Sequence, residues 1–351
     1  MVVAEEAEEA AEAGAVAGKH FKYGNPFCSM NSLDRIRGLH ARFVLRFLGI
    51  LTSVATLLWT FPLAANTNAT ARTFTSPEDA VHALSIAVTS LDTNALAAIF
   101  GPEFNEIKSP DPVQWTNELA AFAAALNASN HIARVNDRRC ILETGEDRCP
   151  FAIPLVRSGN SWFFHTEEGE QELINRRIGR NELRALEALR AGAQAQREYA
   201  SADRDGSEVQ KFAQKIVSTQ GKKDGLYWSP DLDGEISPLG PAFAKAQGEG
   251  YSKQPVAQNT PRPFHGYYFK ILTSQGTHAP GGKYDYIING NMIGGFAFVA
   301  WPAQYGETGI MTFIINQQGK VYQKDLGSNT DSIVRKMTAY DPDPTWKLSP
   351  D

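Results

Sequence analysis

The residue types best able to do chemistry gather around His265, which is followed by Tyr267 and Tyr268 and, after a gap, by Tyr284 and Tyr286. An imidazole titrates near neutral pH and phenol hydroxyls donate or accept hydrogen bonds, so such a group can bind a polar ligand or move a proton. Asp285 sits between the two later tyrosines. A hydrolase could use it beside His265, because such constellations are defined by geometry rather than by order along the chain. Alternation limits the idea: on a strand His265, Tyr267 and Phe269 share one face and Tyr268 takes the other. Aromatics are also favoured strand residues, so core and sheet-surface packing is the stronger expectation, with His265 and Tyr267 kept as ligand-binding candidates.

A second candidate is the trio Arg176, Arg177 and Arg180. Guanidinium forks bind carboxylate or phosphate in bidentate fashion, which would make an anion clamp. Glu168, Glu170, Glu172 and Glu182 surround the trio in sequence and favour interdomain ion pairs over a ligand. A third candidate is Asp203-Arg204-Asp205-Gly206-Ser207, whose alternating oxygens resemble the start of a calcium loop. An EF-hand would need glycine and glutamate where this chain has Glu208 and Gln214. A helix-ending turn is therefore favoured, with an irregular calcium site as the alternative. No nucleophile elbow, phosphate loop, zinc-binding H-E-x-x-H pair or dinucleotide fingerprint is present. No catalytic residue, metal ligand or cofactor is assigned on these grounds.

The chain has three cysteines, and Cys28 drops out if translation begins at Met30. That leaves Cys140 and Cys149, an even count suited to an oxidising compartment. Residues 141–148 between them read as a short strand and turn, so the expectation is a disulfide stapling a hairpin, with free buried thiols as the alternative. Two thiols without histidine partners make a poor metal site.

Those candidates need elements to position them, and before the elements comes a leader. Arg35, Arg37, Arg42 and Arg46 precede an apolar run at 47–65, which is followed by small polar residues at 66–71. Basic, apolar and small-residue regions in that order mark an export signal, with Ala69-Thr70-Ala71 as the exit. An uncleaved membrane anchor is the alternative, since the run approaches the length that spans a bilayer. The expected location is the periplasm or cell envelope, with membrane contact only through this N-terminal segment. A net charge of −5 offers no basic footprint for nucleic acid.

Ser76-Pro77-Glu78-Asp79 is a helix start, Asp92 starts a second helix that Gly101 ends, and 117–127 is an alanine-rich third. The period then changes to short strands at 132–135, 140–143, 151–156 and 162–165, with a hairpin turn at 158–160. This order is similar to cystatin-like and nuclear-transport-factor-like folds. A long helix at 170–199 links to a second set of strands at 265–273, 284–289, 295–301, 309–316 and 320–324. The fold class expected is α+β, with two small domains, each packing helices on an antiparallel sheet: an N-terminal extension at 1–71, a first domain at 72–180, and a linking helix with a second domain at 181–351.

Several phrases closely resemble a bacterial exported family of unknown function, DUF2950: residues 175–182, 195–199, His265-Gly266-Tyr267-Tyr268-Phe269, Ala279-Pro280-Gly281-Gly282 and 322–327. The resemblance implies an exported protein and no established reaction. A second likeness, from Leu183 to Gly327, is to the globular part of type IV pilin-like proteins, although no prepilin cleavage sequence precedes an apolar helix. The leading expectation is a noncatalytic envelope protein that binds or organises partners. The alternatives are an envelope hydrolase or other enzyme using His265, and a small-ligand carrier whose first sheet curves around a pocket.

Overall fold

The computed structural model describes residues 71–251 and 262–349. The apolar run at 47–65 and Cys28 lie outside the described residues. The first lobe begins as the sequence signals require. Ser76 is extended and its hydroxyl accepts the Asp79 N–H at 3.0 Å, so helix α1 (Pro77–Thr89) starts with proline and two acids in its first turn. Asp92 caps α2 (Thr93–Phe100) by accepting the N–H groups of Asn94 and Ala95, both at 3.0 Å. After the single turn α3 (Phe104–Ile107), Asp111 caps α4 (Pro112–Ala128) through Val113 and Gln114. The third helix therefore starts earlier than its alanine-rich stretch suggests, because Asp111-Pro112 is itself a cap followed by a first-turn proline.

The meander follows as β1 (Asn130–Asn136), β2 (Arg139–Thr144), β3 (Cys149–Pro150), β4 (Leu155–Ser158) and β5 (Ser161–Phe164). The sheet order is β1-β2-β4-β5 with β3 on β2, and Gly159-Asn160 forms the two-residue turn between β4 and β5. Beyond β5, Phe74 exchanges two backbone hydrogen bonds with Trp162, at 2.7 and 2.8 Å. Helices cover one face, and Phe100, Phe122, Phe151 and Phe164 fill the space between, with the Phe122 and Phe151 rings stacked at 5.0 Å.

Cys140 and Cys149 are not bridged. In the β2–β3 ladder Cys149 stands opposite Thr144, four residues along the strand from Cys140. At a rise of about 3.3 Å per residue that offset is about 13 Å, nearly twice the roughly 7 Å between Cα atoms that a disulfide tolerates. Cys140 is a buried free thiol, its pKa raised chiefly by that burial.

Helix α5 (Thr166–Tyr199), 34 residues long, is the spine of the molecule. It begins slightly before the expected 170. Gly169 lets its first turn touch the meander, since a Cβ there would lie 2.7 Å from the Ile153 backbone. Leu173 belongs to the first core, whereas Ala185, Leu186, Leu189 and Ala193 belong to a second, separate core.

The second lobe adds α6 (Gly240–Gly248), β6 (Tyr267–Leu272), β7 (Ser274–Gln275), β8 (Tyr284–Asp285), β9 (Ile287–Ile288), β10 (Asn291–Met292), β11 (Ala297–Pro302), β12 (Met311–Asn316), β13 (Val321–Asp325), α7 (Thr330–Lys336), β14 (Ala339–Tyr340) and β15 (Lys347–Leu348). Its main sheet is antiparallel in the order β15-β13-β12-β11-β6, with α5 and α7 both packed on β11. Every residue of β11 is buried, as expected for a strand covered on both faces. A smaller sheet runs β14-β7-β8, with β14 parallel to β7. The expected strand at 284–289 is broken into β8 and β9, and Asn289-Gly290, both with positive φ (48° and 81°), turns β9 into β10. Trp162 and Trp301 are buried on β5 and β11, so both expected tryptophan-bearing strands are present. The fold is α+β. Among the described residues no helix is long and apolar enough to cross a membrane.

Candidate functional site

The polar residues with chemical potential meet where the two lobes join, along the middle turns of α5. Residues 177, 180, 181 and 184 fall within two turns and share a helix side. Asn181, fully buried, ties both lobes: it accepts Gln114 Nε2 from α4 at 2.8 Å and donates through Nδ2 to the Thr308 carbonyl at 2.9 Å. Gly266 sits against it, and a Cβ there would come within 2.7 Å of Asn181 Nδ2. His265 and Gly266 both adopt left-handed backbone (φ 48° and 73°), which turns the imidazole into the seam just before β6 begins.

His265 is 5 % exposed. Arg184 Nη1 lies 2.5 Å from its Nδ1. A guanidinium can only donate, so Nδ1 is the acceptor and the ring proton sits on Nε2. Nε2 faces Glu249 Oε2 at 2.8 Å, although that oxygen is out of line for a hydrogen bond. Tyr251 donates its hydroxyl to Asp111 Oδ2 at 2.7 Å and accepts the His265 backbone N–H at 3.3 Å. Burial, then the Arg184 and Lys245 charges, hold the imidazole down to about 3, so it is neutral at any ordinary pH. Burial and the bond to Asp111 push the Tyr251 phenol far above its usual range. A histidine whose lone pair is occupied and whose N–H is buried cannot accept a substrate proton. The acid beside it is Glu249; Asp285 lies exposed on β8.

The other expected ligand residues are also engaged. Tyr267 is fully buried against Phe313 and donates to the Met311 carbonyl at 3.0 Å, its phenol pushed well above the usual value chiefly by burial. No hydrogen bond joins it to His265. Arg176 donates to Glu172 at 2.9 Å and to the Pro150 carbonyl at 3.1 Å. Arg180 pairs with Glu118 at 2.6 Å, and Glu118 also accepts Gln114 at 2.9 Å. Arg177 donates to the Ile107 carbonyl. Of the acids near the trio in sequence, Glu172 pairs with Arg176. Glu168 binds Arg139, and Glu182 accepts the N–H groups of Ile310 and Met311 at 3.0 Å each. Sequence reasoning missed Glu118, Arg184, Glu249 and Tyr251, whose partners are distant in sequence and carry no local signal.

The Asp203 loop is a self-satisfied turn. Asp203 accepts the N–H groups of residues 205 to 208, and Lys211 Nζ sits among Asp205 (2.8 Å), Ser207 (2.8 Å) and Asn291 (3.0 Å). The Lys211 ammonium thus already takes the Asp205 and Ser207 oxygens that a calcium ion in this loop would share. Among the described residues no group of three or more His, Cys, Asp or Glu could hold a metal ion.

The interior of the first lobe is filled except for a cavity of about 30 Å³, far below the size of an organic ligand. On the outer face of α1 a groove of about 570 Å³ runs past Arg72, Phe74, Asp79, His82 and the exposed Ile86. In the second lobe His278, on the loop after β7, is held by Asp341 through its backbone N–H at 2.8 Å and Nδ1 at 3.1 Å, and both side chains are partly exposed.

A family model described as "Protein of unknown function (DUF2950)" matches residues 71–348. No curated protein and no solved structure matches the chain, so the pilin-like resemblance gains no support.

Proposed function

This chain belongs to the DUF2950 family, and from that premise we propose that it is an exported, noncatalytic protein of the cell envelope that binds or organises other envelope proteins. The observation that carries the reading is the closed seam. Imidazole, phenol, guanidinium and carboxylates come together there, yet each side chain is directed at another residue of the chain, and the histidine is neutral with its acceptor nitrogen occupied. Such a cluster joins two lobes and leaves no group to act on a substrate. The filled interior of the first sheet argues against the carrier reading. Export is supported by the order of basic, apolar and small residues at 35–71.

Two steps test the proposal. Residues 1–75 fused to a phosphatase that is active only outside the cytoplasm should yield active enzyme. Photo-crosslinkers at Ile86 and Ile288, exposed in different lobes, should then capture discrete partners in intact cells. A fusion that is made but inactive overturns the location, and turnover of any substrate that survives His265→Asn but not His278→Asn overturns the noncatalytic reading.

A further inference from the structure

The small cavity of the first lobe lies beside an unbalanced charge. Arg177 is 3 % exposed, makes a single hydrogen bond to a backbone carbonyl, and leaves Nε buried without a partner. Among the described residues no carboxylate lies within ion-pair distance of it. The acids whose charge reaches it are Glu118, shared by Arg180 and Gln114, and Glu307. Burial lowers the Arg177 pKa, but a guanidinium remains protonated in proteins. A buried cation without a close counter-charge is costly, and an orphaned buried N–H marks a place where a water or an ion belongs.

The cavity beside Arg177 is about 30 Å³. That holds about one water-sized particle. Three guanidiniums, of Arg176, Arg177 and Arg180, and one carboxylate, of Glu118, line it, and the remaining walls are apolar and aromatic, including Trp115 and Phe122. Glu172 pairs with Arg176 and Glu118 with Arg180, so the charge left without a close counter-charge is that of Arg177, in a setting that screens it poorly. Phosphate, sulfate and carboxylate metabolites are too large for the space; a halide is not.

We propose that this cavity is a binding site for a single small monovalent anion, chloride in the cell, which supplies the counter-charge that Arg177 lacks and binds the α3–α4 region to α5. The ion is a structural ligand.

The probe is bromide. Crystals of the protein grown in sodium bromide and measured at the bromine edge should show an anomalous peak in the cavity between Arg177 and Trp115. In solution, replacing gluconate with chloride at constant ionic strength should raise the wild-type melting temperature by about 2–5 °C, the size of shift expected when a ligand binds only the folded state. Arg177→Met should lose both effects, and if that variant fails to fold, the two wild-type measurements still decide. Cavity density with no anomalous signal, meaning water alone, overturns the proposal, as does a melting temperature indifferent to the exchange of chloride for gluconate.

Discussion

His265 is neutral because the fold buries it and aims Arg184 at its acceptor nitrogen, and this fixes how stability depends on pH. Its folded pKa is about 3 against an ordinary 6.5. The unfolded chain therefore takes up a proton below pH 6.5 that the folded chain refuses. Stability is fully present above that value and declines as pH falls toward 3, by at most about 1.4 kcal/mol per pH unit from this residue. Urea midpoints measured between pH 7 and 4.5 should decline in the wild type and flatten in His265→Asn. Asparagine tolerates the left-handed backbone at this position and can still accept from Arg184. An equal slope in both proteins would assign the acid sensitivity elsewhere. Sequence reasoning could single out His265, Tyr267 and Arg177, because their residue types stand out. It could not see their partners: Arg184 is 81 residues from His265, and Glu118 is 62 from Arg180. A pairing across such a separation is decided by how elements pack, and no local pattern encodes it.

Elements were legible where a cap or a turn writes its own signature. Ser76, Asp92, Gly101, Gly159 and Asn289-Gly290 each sit where their side chains or φ preferences direct. The hairpin staple was not legible, because eight residues between cysteines fit either a bridged pair or a four-residue offset, and only the Thr144–Cys149 register decides between them. The short strands β7, β14 and β15 and the helices α6 and α7 also went unseen, since their segments are too short to show a period. At this scale Asn181 is the decisive residue, because one amide serves α4 on one side and the loop before β12 on the other. Asn181→Ala should cost about 1–3 kcal/mol, the usual cost of leaving buried polar partners unsatisfied. Equilibrium urea unfolding would measure it, and a loss below about 0.5 kcal/mol would mean that solvent reaches the seam and replaces the amide.

At the scale of the molecule, two cores, spanning residues 74–173 and 185–346, share one continuous helix. At about 1.5 Å per residue α5 runs for about 50 Å, and it cannot melt in one lobe without loosening the other. The chain should therefore unfold in a single transition, with tryptophan fluorescence and far-ultraviolet circular dichroism giving the same midpoint. Trp162→Ala and Trp301→Ala lie in different cores, and each should cost about 3–5 kcal/mol while shifting that one transition as a whole. A variant in which one probe moves and the other stays would show that the lobes melt separately. The Phe74–Trp162 pairing has a mechanical meaning as well. A pull on the chain at residue 71 is borne by the Arg72 N–H bond to the Ala98 carbonyl at 2.8 Å and then by those two backbone bonds at the sheet margin, ahead of α1 and everything packed beneath it. If the protein is tethered through its N-terminus, these three bonds act as a fuse: they yield under tension and lengthen the tether by a few residues while both cores stay folded.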